Sequence, residues 1–154
     1  MKVRQLEEKD LVTVSALCID AFSVAVAPSL SHEGVETFKG IASVDSFLDR
    51  MSKDNTTLVY EENGRVIGVI ELKEGRHISM LFVSPDYQKK GVGRELFSAI
   101  LPFVRAETIT ISASLNSVPA YMKYGFTCAG DPDVKAGLVF QPMVRRSQIS
   151  CINM

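Results

Sequence analysis

The 154-residue sequence contains no tryptophan, two histidines and three cysteines. The cysteines, Cys18, Cys128 and Cys151, are odd in number and far apart, and none has a histidine at ligand spacing. This pattern argues against a disulfide framework and a structural zinc site, so no metal is expected. Cys18 falls on the apolar face of a predicted helix and is interpreted as a small buried hydrophobe.

Long apolar runs are missing as well. No segment approaches the roughly 18 consecutive apolar residues of a membrane helix. The N-terminus, Met1-Lys2-Val3-Arg4 and onward, lacks the apolar stretch and small-residue cleavage site of a secretory signal. A cytoplasmic location without a membrane partner is therefore expected.

Neither sign of charge is in clear excess. Seventeen Lys and Arg residues against eighteen Asp and Glu residues give a formal charge of −1, which leaves no broad electrostatic footprint for nucleic acid. The 46% hydrophobic and 23% charged residues are ordinary for a globular protein. We predict one domain over residues 1–154, with a polar tail from about residue 146, burying about two-thirds of its unfolded surface.

The first third of the chain indicates a strand followed by helices. A short strand over 2–6 precedes a helix that Asp10 is expected to cap. Pro28 should end that helix, because proline disfavours helical geometry in the residue before it. A second helix begins near Glu33, with a bend or interruption expected between Gly40 and Ser46.

The middle of the chain predicts an antiparallel meander of three strands, over 56–61, 65–72 and 76–83. Asn63-Gly64 is a strong signal for a tight hairpin turn between the first two strands. Glu74-Gly75 marks the second break. The meander should therefore form the centre of a sheet.

The last part of the chain returns to alternating elements. A helix after a glycine-containing loop should kink or end at Pro102. A strand over 108–112, a short helix carrying Tyr121, and strands beginning at Phe126 and Gly137 complete the order β-α-α-β-β-β-α-β-α-β-β. The fold class is therefore mixed α/β, with a largely antiparallel sheet flanked by helices.

The loop between strand and helix, from Val83 to Gly93, is the most informative segment. Gly91 and Gly93 let the backbone approach a ligand, and the helix that follows begins with amides that lack intrahelical partners. Such a helix end attracts phosphate, and Lys89 and Lys90 add positive charge beside it. We expect a pyrophosphate there.

Other nucleotide-binding loops fit this segment poorly. A lone G-x-G before a helix also marks ordinary turns. A dinucleotide-binding loop needs a third glycine where Leu96 stands, and the G-K-S/T of a P-loop is absent.

Two blocks resemble those of the GCN5-related N-acetyltransferase (GNAT) superfamily. Gln88-Lys89-Lys90-Gly91-Val92-Gly93 matches its Q/R-x-x-G-x-G/A signature. The run from Asn116 to Phe126 resembles its N-x-x-A-x-x-x-Y-x-x-x-G-F block in shortened form, with Tyr121 four residues before Gly125. The resemblance implies a GNAT-type acyl-CoA N-acyltransferase fold and acetyl-CoA (coenzyme A) as co-substrate.

The resemblance also implies a set of cofactor-binding positions. Main-chain groups of the last strand residues before the loop are expected to pair with the pantetheine arm, and the Val83 N–H is expected to act as oxyanion donor. Asn116 could bind the pantetheine amide or simply cap the short helix. The full set is Leu81, Phe82, Val83, Gln88, Lys89, Lys90, Gly91, Val92, Gly93, Arg94, Asn116 and Tyr121.

Three side chains are candidates for catalysis. Tyr121 is the expected general acid, because a phenol with a pKa of about 10 is protonated at neutral pH; packing is the alternative, and Tyr124 is the competitor. His77 stands where the histone-modifying branch of the superfamily carries a glutamate base, and Glu71 could act through a water. Either could instead be an ordinary strand residue.

The expected function is an acetyl-CoA-dependent N-acetyltransferase that works by direct attack in a ternary complex. The alternative is a non-catalytic acyl-CoA-binding sensor or assembly module with the same fold. The acceptor is expected to be a small-molecule or peptide amine, and residues 27–40 carry no signature that identifies it. The resemblance also allows a homodimer through the strands between Gly137 and Met154.

Overall fold

The computed structural model describes residues 2–147. Five helices and eight strands occur within that range, together with short 3₁₀ turns. In chain order they are β1 (Lys2–Gln5), α1 (Leu11–Ala25), α2 (His32–Ile41), α3 (Val44–Met51), β2 (Asn55–Glu62), β3 (Arg65–Lys73), β4 (His77–Val83), α4 (Val92–Ile100), β5 (Thr108–Ala113), α5 (Val118–Lys123), β6 (Thr127–Cys128), β7 (Asp133–Lys135) and β8 (Leu138–Arg146).

The strands form one mixed sheet in the order β1-β2-β3-β4-β5-β8-β6, and β7 pairs with β8 beside this path. Every pairing is antiparallel except that of β4 with β5, which is parallel. The predicted fold class, a mixed α/β fold with a largely antiparallel sheet flanked by helices, is confirmed.

Two differences concern the number of elements. The predicted second helix is two helices, α2 and α3, because Ser43 caps a new helix by accepting a hydrogen bond from the Ser46 amide. The segment near Asp133, expected to be a turn, contains the short strand β7. Both additions lie where polar residues interrupt the apolar periodicity.

The expected hairpin turn at Asn63-Gly64 is confirmed. Asn63 and Gly64 both have positive φ, 53° and 76°, as a type I′ turn requires. Glu74 and Gly75 repeat this geometry, with φ of 55° and 67°, between β3 and β4. The meander is therefore held by two turns whose backbone twist matches that of the strands.

Apolar clusters cover both faces of the sheet. One face packs against α4 and α5, with Leu96, Ile100 and Phe126 among its fully buried side chains. The other packs against α1, α2 and α3, and includes Phe47 and Cys18. Each fully buried large side chain contributes about 1.5–3 kcal/mol through removal from water.

The buried-hydrophobe interpretation of Cys18 is confirmed. The residue is fully buried, and burial raises the pKa of its thiol to about 12. Asp10, by contrast, does not cap α1 through its side chain. Its carboxylate instead accepts hydrogen bonds from the Arg4 guanidinium, at 2.8 and 3.0 Å, and these bonds lower the pKa of Asp10.

The polar tail was predicted from about residue 146. Strand β8 continues through Arg146, and buried Ser147 donates its amide to the Glu107 carbonyl at 2.8 Å. Residues 148–154, which hold Cys151 and the end of the expected dimerisation segment, lie outside the described residues. Among residues 2–147, no helix combines the length and apolar character needed to cross a membrane.

Candidate active site

Strand β4 carries a β-bulge at Ser79. In its pairing with β3, Met80 lies opposite Glu71 and Ile78 lies opposite Leu72, so Ser79 has no partner. A bulge bends its strand and increases the local twist. The parallel pairing of β4 with β5 ends at this point, after His77 with Thr110 and Ile78 with Ile111. The space that opens beyond Ser79, between β4 and β5, is called the strand gap below.

Alternate main-chain groups of β4 face the strand gap. The Ser84 amide donates to the Ile67 carbonyl on β3 at 2.8 Å, so the alternation along a strand directs the Phe82 main chain toward β3 as well. The N–H groups of Leu81 and Val83 consequently point away from β3. This direction agrees with the role expected for Val83.

Phe82 was expected, like Leu81 and Val83, to offer main-chain groups to the cofactor, and the structure differs. Its main chain pairs with Val69 on β3 and is not free for a ligand. Its ring instead meets Phe38 of α2 edge-on, with 5.3 Å between centroids. Phe82 therefore contributes a side chain to the cavity and not a main-chain donor.

The loop from Gln88 to Gly91 joins the strand gap to α4. Lys89 and Gly91 adopt left-handed backbone conformations, with φ of 63° and 87°. The first i to i−4 bond of α4 runs from the Glu95 amide to the Gly91 carbonyl at 3.0 Å. The amides of Val92, Gly93 and Arg94 precede that bond, so they form the donor-rich helix end on which anion binding depends.

Glycine is needed at the two positions of the signature for different reasons. A Cβ on Gly91 would meet nothing within 4 Å, so its positive φ, and not close approach, requires glycine there. A Cβ on Gly93 would lie 3.3 Å from the Tyr124 hydroxyl. Close approach, expected at both positions, therefore applies to Gly93.

A cavity of about 890 Å³ includes the strand gap. Its loop half is formed by the end of β4, the loop and α5, and its apolar half by α1, α2 and β8. The loop half includes Leu81, Val83, Gln88, Lys89, Gly93 and Tyr124, and the apolar half includes Phe22, Phe38, Ile41, Leu138, Val139 and Phe140. A volume of this size lies within the range of small-molecule sites.

The cavity brings together eight of the predicted site residues. These are Leu81, Phe82, Val83, Gln88, Lys89, Gly93, Asn116 and Tyr121. Lys90, Gly91, Val92 and Arg94 belong to the same loop and helix end without lining the cavity. Val92 is buried in the core instead, and Arg94 lies over the Tyr124 ring, 5.9 Å from its centroid.

Tyr121 and Tyr124 both line the cavity, in different surroundings. Burial raises the pKa of Tyr121 far above its ordinary value, and Tyr124 adds to the shift. Tyr124 is half-buried, and burial raises its pKa while Arg94 opposes the change. Both phenols are therefore protonated at neutral pH. The rings meet edge-on, with centroids 6.0 Å apart.

Asn116 does not cap the short helix. Its amide nitrogen donates to the Ala25 carbonyl at the end of α1 at 2.7 Å, and its oxygen accepts from the Ser114 hydroxyl at 2.9 Å. This contact links the segment before α5 to α1 across the cavity. Ser114 also lines the cavity and stands seven residues before Tyr121, the spacing of the superfamily asparagine. The sequence analysis missed Ser114, although that spacing identifies it.

The structure places His77 away from the cavity. It lies on the part of β4 that still pairs with β5, and its Nδ1 is 2.7 Å from the Thr110 hydroxyl. Burial, followed by Arg76 and Lys73, lowers the pKa of His77. The imidazole is neutral at pH 7, but the bulge separates it from the cavity, so the geometry argues against its expected role as base.

Glu71 is also removed from the cavity. It is only 1% exposed, accepts a hydrogen bond from the Thr57 hydroxyl at 3.0 Å, and lies 2.8 Å from Arg50 Nε. The Arg50 contact is an ion pair without hydrogen-bond geometry. The carboxylate is enclosed by these partners and does not line the cavity. The expected role as a water-mediated base is therefore not supported.

The cavity lining contains hydroxyl, amide and amine groups but, within residues 2–147, no carboxylate or imidazole. Ser79 and Ser112 face the strand gap from its two sides and were not predicted, because the bulge that exposes Ser79 has no signal in the sequence. Over the same residues, no cluster of three or more His, Cys, Asp or Glu side chains could hold a metal ion.

The sheet splits beside a glycine loop and a helix N-terminus, an arrangement that suits a ligand with a phosphate group and an extended arm. The model of the acetyltransferase (GNAT) domain family matches residues 26–147, and the chain belongs to this family. An uncharacterised N-acetyltransferase of Escherichia coli K12, YafP, is 25% identical over 129 residues, which cover 82% of this chain and 81% of YafP.

Solved structures share the fold. A GCN5-related N-acetyltransferase from Rhodopseudomonas palustris superposes with a TM-score of 0.83 at 24% identity, covering 94% of each chain. The PaiA N-acetyltransferase of Thermoplasma acidophilum, solved with coenzyme A, gives a TM-score of 0.78 at 19% identity over 94% of this chain and 98% of that one. Acetyl-CoA is the co-substrate consistent with this family.

Proposed function

We propose that the protein is an acetyl-CoA-dependent N-acetyltransferase that acts by direct attack of an amine in a ternary complex. The observation that carries the proposal is the strand gap, which joins unpaired β4 amides, the N-terminus of α4 and a protonated Tyr121 in one cavity. The apolar half leaves room beside the cofactor for a second substrate.

The residues present suit the cofactor. The amides of Val92, Gly93 and Arg94 and the charges of Lys89 and Lys90 suit a pyrophosphate. The Leu81 and Val83 main chains suit the amide-rich pantetheine arm, as an added strand would. Gln88 supports this edge by donating its side-chain amide to the Val83 carbonyl at 3.1 Å.

Acetyl-CoA supplies an acetyl group activated as a thioester. In the proposed reaction the amine nitrogen bonds to the acetyl carbon, the carbon–sulfur bond breaks, and the sulfur leaves with the bonding electron pair. The Val83 N–H stabilises charge that develops on the carbonyl oxygen. Tyr121 donates a proton to the sulfur. The amine releases its proton to solvent, because no carboxylate or imidazole lines the cavity within residues 2–147.

The second candidate is a non-catalytic acyl-CoA-binding sensor or assembly module. The same lack of a carboxylate or imidazole in the described cavity lining favours it. Calorimetry with acetyl-CoA and thiol release with an amine panel separate the two candidates. Binding with acetylation supports the enzyme, and binding without acetylation of any amine supports the module.

A matched pair of helix glycines tests the cofactor site itself. Gly93→Val places a branched side chain against Tyr124 at the start of α4, whereas a Cβ on Gly40 in α2 meets nothing within 4 Å. Acetyl-CoA affinity should fall at least about tenfold in Gly93→Val and stay unchanged in Gly40→Val. Equal affinity in the two variants would contradict the proposed cofactor position.

A further inference from the structure

The apolar half of the cavity is lined by an aromatic cluster. The rings of Phe22 and Phe38 stack at 3.9 Å with an interplanar angle of 6°, and Phe82 meets Phe38 edge-on. Phe140 and Leu138 line the opposite side, from β8. Such a surface favours a flat or branched apolar group, since stacked and edge-on aromatic contacts add about 0.5–1.5 kcal/mol per pair to the gain from burial.

Within residues 2–147, the polar side chains bordering this half bring no negative charge to a cation. The Thr37 hydroxyl already donates to the Ala136 carbonyl at 2.8 Å. Lys135, at the end of β7, is exposed and brings a positive charge. With no described carboxylate in the lining, an ammonium group would lose its hydration without gaining a counter-ion, which is unfavourable.

The position of the walls is fixed by backbone packing. Helix α2 contacts the β7–β8 turn so closely that a Cβ on Gly34 would collide with the Gly137 carbonyl. The Thr37–Ala136 hydrogen bond adds a second tie between the same elements. The apolar half is therefore a preformed site and not an adaptable surface.

We propose that the apolar half selects a primary amine with one aromatic or branched aliphatic body and no second positive charge, and that the amine reacts in its neutral form. This inference rests on the proposed acetyltransferase function and names its acceptor class. Polyamines and lysine-like acceptors, whose second charge or long polar stem would meet Phe22, Phe38 and Lys135, are poor substrates.

The neutral-amine requirement has a kinetic signature. An alkylammonium ion has a pKa of about 10.4, so its neutral fraction rises about tenfold per pH unit below that value. Because the described lining residues include no carboxylate or imidazole, kcat/KM for the acceptor should follow that fraction, and the position of the profile should move with the pKa of the amine used. A break near pH 6–7 that is the same for every amine would overturn this part of the proposal.

The direct test compares three acceptors at saturating acetyl-CoA, with thiol release as readout: 2-phenylethylamine, isopentylamine and spermidine. The first two should exceed spermidine in kcat/KM by at least about tenfold. A preference for spermidine would overturn the inference while leaving the acetyltransferase function intact. If calorimetry finds no acetyl-CoA binding, both proposals fail. If acetyl-CoA binds and none of the amines is acetylated, the proposed acceptor class is wrong and the non-catalytic module is supported.

Two glutamate substitutions sharpen the comparison. Ile41 lines the apolar half and is 38% exposed, whereas Leu48 on α3 is 44% exposed and lies off the cavity. Ile41→Glu should lower kcat/KM for 2-phenylethylamine at least about tenfold and raise it for spermidine, because it supplies the missing carboxylate. Leu48→Glu should match the wild type with both amines. An unchanged preference in Ile41→Glu would overturn the inference.

Discussion

Tyr121 and Tyr124 are the two residues in this site whose chemical roles are hardest to separate. Tyr121 occupies the superfamily position, but its burial makes the phenol a weak acid. Tyr124 is more exposed and lies beside Gly93 and Arg94, close to the expected pyrophosphate site. We propose that Tyr121 donates the proton and that Tyr124 contacts the cofactor.

Two substitutions, each removing one tyrosine hydroxyl, test these roles. Tyr121→Phe should lower kcat by about 10²- to 10⁴-fold, the usual contribution of a general acid, with acetyl-CoA affinity kept. Tyr124→Phe should instead weaken acetyl-CoA binding and leave kcat within about threefold of the wild type. Presteady-state thiol release and calorimetry measure the two effects. A large loss of kcat in Tyr124→Phe, with Tyr121→Phe unaffected, would reverse the roles.

Residues of the glycine loop could be predicted from sequence because the loop has a local signature. His77 and Glu71 could not be placed in this way. Their relation to the cavity depends on where β4 stops pairing with β5, and the bulge at Ser79 lies between His77 and the strand residues that line the cavity. Ser114 was not predicted because Asn116, two residues later, is the residue type that the superfamily pattern carries.

At the scale of elements, the contact between α2 and the β7–β8 turn shapes the apolar half of the cavity. Gly137 has a φ of 80°, which favours glycine, and Gly34 faces its carbonyl without a side chain. Two glycines 103 positions apart thus permit helix and turn to pack backbone to backbone. Any side chain at Gly34 must separate them.

Substitution of the two glycines of α2 measures this contact. Gly34→Ala should reduce the free energy of unfolding by about 1–3 kcal/mol, through overpacking, and raise the acceptor KM with little change in acetyl-CoA affinity. Gly40→Ala, with free space around its Cβ, should raise stability by about 0.5–1 kcal/mol. Urea unfolding and steady-state kinetics provide the measurements. Equal effects at both sites would show that the packing is not limiting.

Elements with short-range signals were predictable, and those set by tertiary pairing were not. The Asn63-Gly64 turn follows from backbone preference alone. The break between α2 and α3 and the strand β7 depend on a serine cap and on pairing with β8, which the apolar periodicity does not record. The helix predicted to kink or end at Pro102 ends at Ile100, and a 3₁₀ turn over Leu101–Phe103 follows.

At the scale of the whole molecule, two groups of strands meet through a very short ladder. Strands β1 to β4 and strands β5, β6 and β8 are joined by the two residue pairs of β4 with β5. A ligand in the strand gap would contact both groups. Its binding should therefore stabilise the whole fold and not only the loop.

Hydrogen exchange and thermal unfolding test this coupling. Acetyl-CoA at about 100 times its Kd should add about 2.7 kcal/mol to the free energy of unfolding. The amides of Leu81 and Val83 should exchange more slowly, while that of Phe82, already paired with β3, serves as the internal control. Stabilisation without protection of Leu81 and Val83 would place the ligand elsewhere.

The bulge at Ser79 has a consequence beyond catalysis. Beyond the bulge β4 and β5 no longer pair, so the two groups of strands are held together by a ladder of two residue pairs. Acetyl-CoA bound in the strand gap would contact both groups of strands and stabilise the junction between them. The resistance of the folded chain to an added protease should then rise with the concentration of acetyl-CoA.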